Sequence, residues 1–477
     1  MQSQARYGEN NVNTIDTDYL VVGAGTAGMA FTDALISHCG ADVVMVDARQ
    51  GPGGHWHDAY PFVRLHQPSA TYGVDSRSLG ANAIDTIGSD AGYYERASAP
   101  EICGYYRKVL DEVLLPSIRV RFYGMCDYHG DFIGEHVLTS RLTGARTRVR
   151  VRRKVVDTTY LEVSVPATHK PSFIIDADTR FIAVGDLVHV DTAPSGYTIL
   201  GGGKTAMDAC YWLLENGVQA GSIRWIRPRD SWVLLRACFQ PLDLVGTTLD
   251  TFAQSLAILA QATSVDDLYH RLETTGLVRR FDRTVTPTMF RGAILSTAEC
   301  DALARIEHVV RLGRIHHLSA HRIVLEHGEV PNDPRQVLVD CTASGFRVNP
   351  LKPVYEPDRI TLQGLVGGFT SFSAATIGFV EATRADDAEK NRLCRPTRAL
   401  NEPSDWIDAY RGMIHTNIMN ASDPDMAAWL ERTRLNITSG MAKHADNPAI
   451  QRSLARVAEL AEPARCNADR LLAPSGE

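Results

Sequence analysis

The chain has nine cysteines, and no two of them stand at CxxC or CxxxxC spacing. That absence removes the flavin disulfide reductases, which need a closely spaced redox dithiol, and fits thiols kept free in a reducing cytosol. Long apolar runs are missing too. No window of about 18 residues is free of polar groups, so no membrane-spanning helix is expected. Basic charge is in short supply, with 49 Lys and Arg against 56 Asp and Glu and a formal net charge of −7, which argues against nucleic acid as a partner. Residues 1–18 lack a basic segment followed by an apolar one; they read as a loose polar tail rather than a secretory signal, and the expected location is the cytoplasm. Internal repeats and low-complexity linkers are absent as well. At 477 residues the chain has room for about three domains.

What is present is glycine at two strand ends. The apolar run Tyr19 to Val22 leads into Gly23-Ala24-Gly25-Thr26-Ala27-Gly28, an amphipathic stretch reaching His38, and a second apolar run, Val43 to Val46, that ends at Asp47. Strand, glycine turn, helix, strand and acid make a complete βαβ unit. Its glycines permit a tight turn, close approach of a pyrophosphate and close helix–strand packing, and the helix start offers bare N–H groups to phosphate. Asp47 lies 19 residues past Gly28, where a carboxylate can accept both hydroxyls of an adenosine ribose.

The second unit begins 178 residues later. Tyr197 to Leu200 is followed by Gly201-Gly202-Gly203-Lys204-Thr205-Ala206, a helix expected from Lys204 to Asn216, and a strand from Ser222 to Ile226. No acid ends that strand; the sequence runs on as Arg227-Pro228-Arg229. A guanidinium can grip a 2′-phosphate bidentately where a carboxylate would repel it, so this site is expected to take NADPH, with Arg227 the first choice and Arg229 the second. Lys204 adds to the same field.

Between the units, residues 117–182 read as strands. Residues 250–310 read as helical, with capping boxes at Ser264/Asp267 and Ser296/Glu299. Strands return after Arg311, and residues near 337–341 are expected to supply the last strand of the first sheet. The C-terminal part reads as helical, capped at Ser404, Asp423 and Asn447. The fold class is therefore α/β, with two Rossmann-like dinucleotide-binding domains. The divisions are 1–195 and 336–400 for the first dinucleotide-binding domain, 196–335 for the NADPH-binding domain with the helical insertion, and 401–477 as a helical extension.

Further motifs carry a resemblance. Gly53-Gly54-His55-Trp56, then Leu65-His66-Gln67-Pro68, and later Asp340-Cys341-Thr342-Ala343-Ser344-Gly345-Phe346 resemble elements of the flavin-containing monooxygenase superfamily, the class B flavoprotein monooxygenases. In that family a GG-x-W segment packs on FAD and an L-H-x-P-like strand passes the flavin ring, while the last segment rejoins the FAD sheet. Arg227 to Val233 is similar to its Arg-x-x-Ser-Trp-Val stretch with the arginine spacing one residue different; Phe181, Gly185 and His189 keep part of its F-x-G-x-x-x-H fingerprint.

The resemblance implies FAD contacts from Gly23, Ala24, Gly25, Ala27, Gly28, Asp47, Ala48, Arg49, Gly54, His55, Trp56, Arg64, His66, Gln67, Met125, Cys126, Ser344, Gly345, Phe346 and Ser373. It implies coenzyme contacts from Gly201, Gly202, Gly203, Lys204, Thr205, Ala206, Arg227 and Arg229. His66 and Gln67 would be catalytic, with Gln67 donating to a flavin C4a-(hydro)peroxide that oxygenates a small substrate with O2. The glycine-rich stretch from Gly367 to Phe379 would approach the ring. Two other readings stay open: an NADPH-dependent flavin oxidase or reductase without oxygen transfer, and a flavin-bound interaction protein docking through its C-terminal helices. A homodimer is open too. No metal is expected: His55 and His57 lack a completing ligand, and the histidines from His308 to His327 read as surface. Arg146, Arg148, Arg150 and Arg152 share one strand face, read as solvated.

Overall fold

The computed structural model describes residues 13–473 except 133, 162, 367 and 368. The first sheet is built around β1 (Asn13–Val22), which is followed by helix α1 (Thr26–His38) and strand β2 (Val43–Val46). After helix α2 (Ala99–Val109) come β3 (Val120–Tyr123), β4 (Cys126–His129), β5 (His136–Ser140) and β6 (Arg146–Asp157). The order β3-β2-β1-β6-β5-β4 joins four parallel strands to an antiparallel pair. Strand β6 is long enough to serve two neighbours on one side: its start pairs β5 and its end pairs the returning strand Arg359–Thr361 in parallel.

Two expectations are overturned. Residues 13–17 are not part of a loose tail, because they extend β1 along the first half of β6; their polar composition hid a strand that lies beyond the edge of β2. Residues 1–12 lie outside the described residues. The strand Val337–Asp340 does not close the first sheet either. It pairs in register with Tyr197–Leu200 and with Phe181–Ala183, so it belongs to the second sheet. The chain returns to the first sheet at Arg359–Thr361, a segment with one buried apolar side chain at its centre and little hydropathic signal.

The second sheet is wholly parallel, in the order 309–310, 223–226, 197–200, 337–340, 181–183. Helix α3 (Lys204–Glu215) follows its glycine turn. The unit thus takes strands from both sides of the expected boundaries at 195 and 335.

The insertion is only partly helical. Helices α4 (Val245–Gln261), α5 (Val265–Thr274) and α6 (Thr297–Ala304) are separated by a turn-rich stretch, since Gly276 at φ 77° ends α5 and Pro287 breaks the segment before α6. Helix α7 (Thr370–Thr383) packs on α1 at Gly378, where a side chain would run into the Phe31 carbonyl. Helix α8 (Asp387–Leu393) leads into the extension, α9 (Pro403–Ala421), α10 (Pro424–Arg432) and α11 (Pro448–Leu472). Glu402 with Asp405, not Ser404, caps α9, because Pro403 fits the first turn and places Ser404 inside the helix. Asp423 and Asn447 cap α10 and α11 as the sequence indicates. The extension packs on α4 and α5 through Tyr269, Trp406 and Tyr410. Among the described residues, no helix is long and apolar enough to cross a membrane.

Candidate functional site

At the first glycine turn, Gly23 holds φ 104°, and a methyl at Gly28 would overlap the Gly23 carbonyl oxygen. Only glycine permits α1 to sit this close to β1. Gly25 faces Gly54 across the turn: a Cβ built on Gly25 would lie 3.5 Å from the Gly54 Cα, and Gly53 N–H donates to the Ala24 carbonyl at 3.0 Å. Asp47 accepts from Ala24 N–H and Arg49 N–H, each at 2.7 Å. Met125 N–H donates to the Arg49 carbonyl and Cys126 N–H to the Asp47 carbonyl, so Ala48–Arg49 and Met125–Cys126 run side by side beside that carboxylate. The Arg49 guanidinium pairs with Asp58 at 2.5 Å. Ala27 lies one turn into α1, and Arg64 is exposed, donating to the Arg96 carbonyl.

Trp56 Nε1–H donates to the Tyr72 hydroxyl at 2.8 Å, and that hydroxyl lies 2.6 Å from Thr26 Oγ1 at the start of α1. Tyr72 was not singled out from the sequence, yet it ties the GG-x-W segment to the helix start. Burial pushes its phenol up to about 12, which keeps it a neutral donor. Burial, then the Arg49 charge, lowers His55 to about 4.

His66 lies where the two units face each other. Burial first, then the cations Lys204, Arg96 and Arg236, hold its imidazole well below the ordinary histidine range and therefore neutral. Gln67 does not offer a free donor: its Nε2 gives to the Thr71 carbonyl at 3.1 Å and Thr71 Oγ1 at 3.3 Å. A buried amide satisfied within its own loop anchors that loop, which corrects the expected role. Ser373 is likewise engaged, its hydroxyl accepting from Leu365 N–H at 3.1 Å. Gly367 and Gly368 lie outside the described residues.

In the second turn Gly201 holds φ 129°, and its carbonyl accepts Trp225 Nε1–H at 2.7 Å. A Cβ on Gly202 would meet the Arg229 carbonyl at 2.7 Å, whereas one on Gly203 would enter open space. Ala206 is fully buried against the sheet. Lys204 does not face the arginines. It pairs with Asp208, which also accepts the Tyr60 hydroxyl at 2.6 Å, so helix α3 is tied to the loop that follows Trp56. Thr205 is close enough to share that Tyr60 hydroxyl.

Arg227, the first choice for a 2′-phosphate, is corrected. It is 3% exposed, its guanidinium lies 4.6 Å from the Trp225 ring centroid, and it pairs with Asp230 at 3.2 Å. It is a buried cation beneath the turn. Arg229 is the free one: its Nη2 donates to Asn401 Oδ1 at 3.0 Å, and Arg291 donates to the same oxygen from Nε at 3.2 Å and Nη2 at 3.0 Å. Burial, then the charges of Arg229 and Arg314, lowers the Arg291 pKa. None of Arg229, Arg291 and Arg314 has an acidic side-chain partner within ion-pair distance among the described residues. Ser344 gives its carbonyl to Arg291 Nη1 at 3.0 Å, and Gly345–Phe346 then pairs Val163–Ser164. Two cations on one neutral oxygen, with a third near enough to repel them, are set for a multiply charged anion.

The units are joined by a buried ion cluster in which Asp90 and Arg96 meet Arg236 and Glu299. Arg96 reaches Asp90 at 2.6 Å and Glu299 at 3.6 Å; Arg236, fully buried, binds Glu299 at 2.7 Å and contacts Asp90. Arg96 also donates to the Leu65 carbonyl at 2.8 Å, directly before His66. Arg291, Arg314, Asn401, Tyr72, Asp208 and this cluster, of which the sequence singled out only Glu299 and only as a helix cap, escaped the sequence reading because their partners lie far apart in the chain.

A family model described as an NAD(P)-binding Rossmann-like domain matches residues 21–76. The uncharacterized protein Rv2000 of Mycobacterium tuberculosis is 43% identical over 433 residues, which is 90% of this chain and 79% of that protein. Its counterpart in Mycobacterium bovis has the same identity and coverage. The chain belongs to the family of these mycobacterial proteins. Solved structures that resemble this family member in outline include a steroid monooxygenase bound to NADP, at 14% identity and TM-score 0.48, covering 94% of this chain and 98% of that one. A cyclohexanone monooxygenase from Rhodococcus sp. Phi1 bound to NADP+ has 13% identity and TM-score 0.47, covering 95% and 99%. At such scores the likeness assigns neither cofactor nor substrate to this family member.

Proposed function

We propose that the chain is an FAD- and NADPH-dependent monooxygenase acting on a small molecule. One observation carries the reading: the chain has two glycine turns of opposite electrostatic character, one ending at Asp47 and the other beside Arg229 and Arg291, and the neutral, half-buried His66 lies in the field of Lys204 at the second of them. Both turns fit dinucleotides. α1 and α3 start at glycine with no side-chain cap and no acid in the first turn, which leaves their N–H groups for phosphate; α4 and α7 are also uncapped but start after Leu244 and Phe369, and α5, α6, α8, α10 and α11 are capped by their own side chains.

In this reading residues 23–28 would hold the pyrophosphate of FAD and Asp47 its ribose, and Trp56 and His66 would flank its ring. Residues 201–206 would hold NADPH, and Arg229, Arg291 and Arg314 would bind its 2′-phosphate. Bound flavin supplies the redox chemistry: NADPH, a proton, O2 and substrate become NADP+, water and a product carrying one oxygen atom. The protein orients and shields. Tyr60 and Asp208 hold α3 against the flavin-side loop, the buried ion cluster fixes the approach of the two units, and His66 presents an uncharged imidazole at their junction.

The test is spectroscopic. Protein reconstituted with FAD is mixed with NADPH or NADH without oxygen, and then O2 is admitted with a panel of ketones, sulfides and amines. Bleaching that is faster with NADPH, followed by product in place of H2O2, is the expected result. H2O2 equal to NADPH consumed with every compound would replace this reading with the oxidase, and absence of NADPH-dependent bleaching would overturn it.

A further inference from the structure

Both candidate nucleotide sites are completed from outside the two sheets, by the chain that follows residue 400. At the second site the completing group is Asn401, whose single side-chain oxygen draws Arg229 and Arg291 together at 3.0 Å and 3.0–3.2 Å. At the first it is Arg434, in the segment between α10 and α11. Its Nη1 donates to the Val74 carbonyl at 2.6 Å, and its Nη2 donates to the carbonyls of Tyr72 at 2.8 Å and Ser69 at 3.3 Å. The Arg434 N–H and the Thr433 hydroxyl both go to Asp75 Oδ1, at 3.0 and 2.7 Å.

These are not casual surface contacts. A guanidinium spread over three carbonyls of one short loop fixes the curvature of that loop, and taking the cation out of water has a cost that only those acceptors offset. The loop is the one in which Tyr72 holds Trp56 and Thr26. At the other end, two like charges held by one neutral oxygen repel each other until an anion joins them, so the arrangement favours the bound form of a phosphate.

We infer that the C-terminal extension positions both cofactor sites, Arg434 acting on the FAD site through the 69–75 loop and Asn401 on the NADPH site through Arg229 and Arg291. Both are positioning residues. The inference rests on the flavin and NADPH reading above, and it predicts effects that cross rather than run together.

Flavin-free wild type, Asn401→Ala and Arg434→Lys are titrated with FAD by quenching of flavin fluorescence, and with NADP+ and NAD+ by calorimetry. Arg434→Lys keeps the charge but cannot span three carbonyls; it is expected to weaken FAD by about tenfold, the equivalent of one strong hydrogen bond, with the NADP+ to NAD+ ratio unchanged. Asn401→Ala is expected to weaken NADP+ by about tenfold and to leave FAD and NAD+ alone. Should Arg434→Lys fail to fold, Thr433→Val, which removes only the hydroxyl bond to Asp75, carries the first arm with a shift of about two- to threefold in FAD affinity. A crossed pattern supports the inference. Losses of both ligands in step, or no change in either, overturn it while leaving the flavin reading intact. A wild-type chain that binds neither FAD nor NADP+ overturns that reading and this inference with it.

Discussion

The two βαβ units share one plan and differ at three places. At the third motif position the first has Gly28 and the second Ala206. The Gly28 site is closed by the Gly23 carbonyl, whereas Ala206 packs its methyl into the core. After the second strand the first has a carboxylate bound to its own turn amides and the second has Arg229, which a remote asparagine draws together with Arg291 from a later segment. In front of the turn, the first is crossed by Gly54, while Gly203 faces open space. The first turn is thus crowded by its own backbone, whereas the second keeps an open face at Gly203.

The sharpest way to break this comparison is at the third position. Gly28→Ala forces α1 off β1 and is expected to cost about 3 kcal/mol or more, read as loss of soluble protein or a steep fall in Tm. The reverse change in the second unit, Ala206→Gly, removes a buried methyl and helix propensity for a total of about 2 kcal/mol. Equal penalties would show that the two turns are packed alike.

The arginines come next. Arg227→Met is expected to cost less than the roughly 3–5 kcal/mol of an uncompensated buried pair, read as a modest fall in Tm, since Arg311 still binds Asp230, and to leave coenzyme preference alone. Arg229→Ala should do the opposite, raising the KM for NADPH roughly 10- to 150-fold with little change for NADH or for Tm. A selective NADPH defect in Arg227→Met instead would restore the reading taken from the sequence.

Gly203→Ala should fold normally and raise KM for NADPH and NADH together by a factor of about ten, because the new methyl meets the pyrophosphate they share. Gly25→Ala, whose methyl makes ordinary contact with Gly54, should keep its Tm and be purified with less FAD. If both variants behave as wild type in steady-state kinetics and flavin content, neither turn approaches a phosphate.

The smallest effect is one of pH. His55 is neutral when folded and has a folded value of about 4 against 6.5 for the free side chain. Between those values the unfolded chain binds a proton that the folded chain refuses, so stability falls as pH drops from 6.5 toward 4 and levels off below. His55→Gln should flatten this acid limb in thermal melts taken at several pH values; an unchanged limb would assign it to other groups, His66 among them.

Both glycine turns were legible because each joins an apolar strand, a fixed spacing and a helix, three signals that agree within about 30 residues. The returning strand was not. Val337–Asp340 is apolar enough to suit either sheet, and only its register with Tyr197–Leu200 decides, while Arg359–Thr361 shows no alternation to betray it. The same limit applies at the site. Arg227 and Arg229 are indistinguishable as letters, and what separates them is Trp225 beneath one and Asn401 beside the other. Gln67 looked free because its partner, Thr71, is four residues away in a turn whose shape depends on Arg434, far along the chain.

The cluster of Asp90, Arg96, Arg236 and Glu299 has two positive and two negative members and lies almost wholly out of water. Mobile counter-ions cannot enter it, so the junction of the two units should hold equally in dilute buffer and in concentrated salt. The exposed Arg291 and its neighbours have no such shelter. Added salt should therefore loosen the grip on the phosphorylated coenzyme proposed here long before it alters the spacing between the two turns.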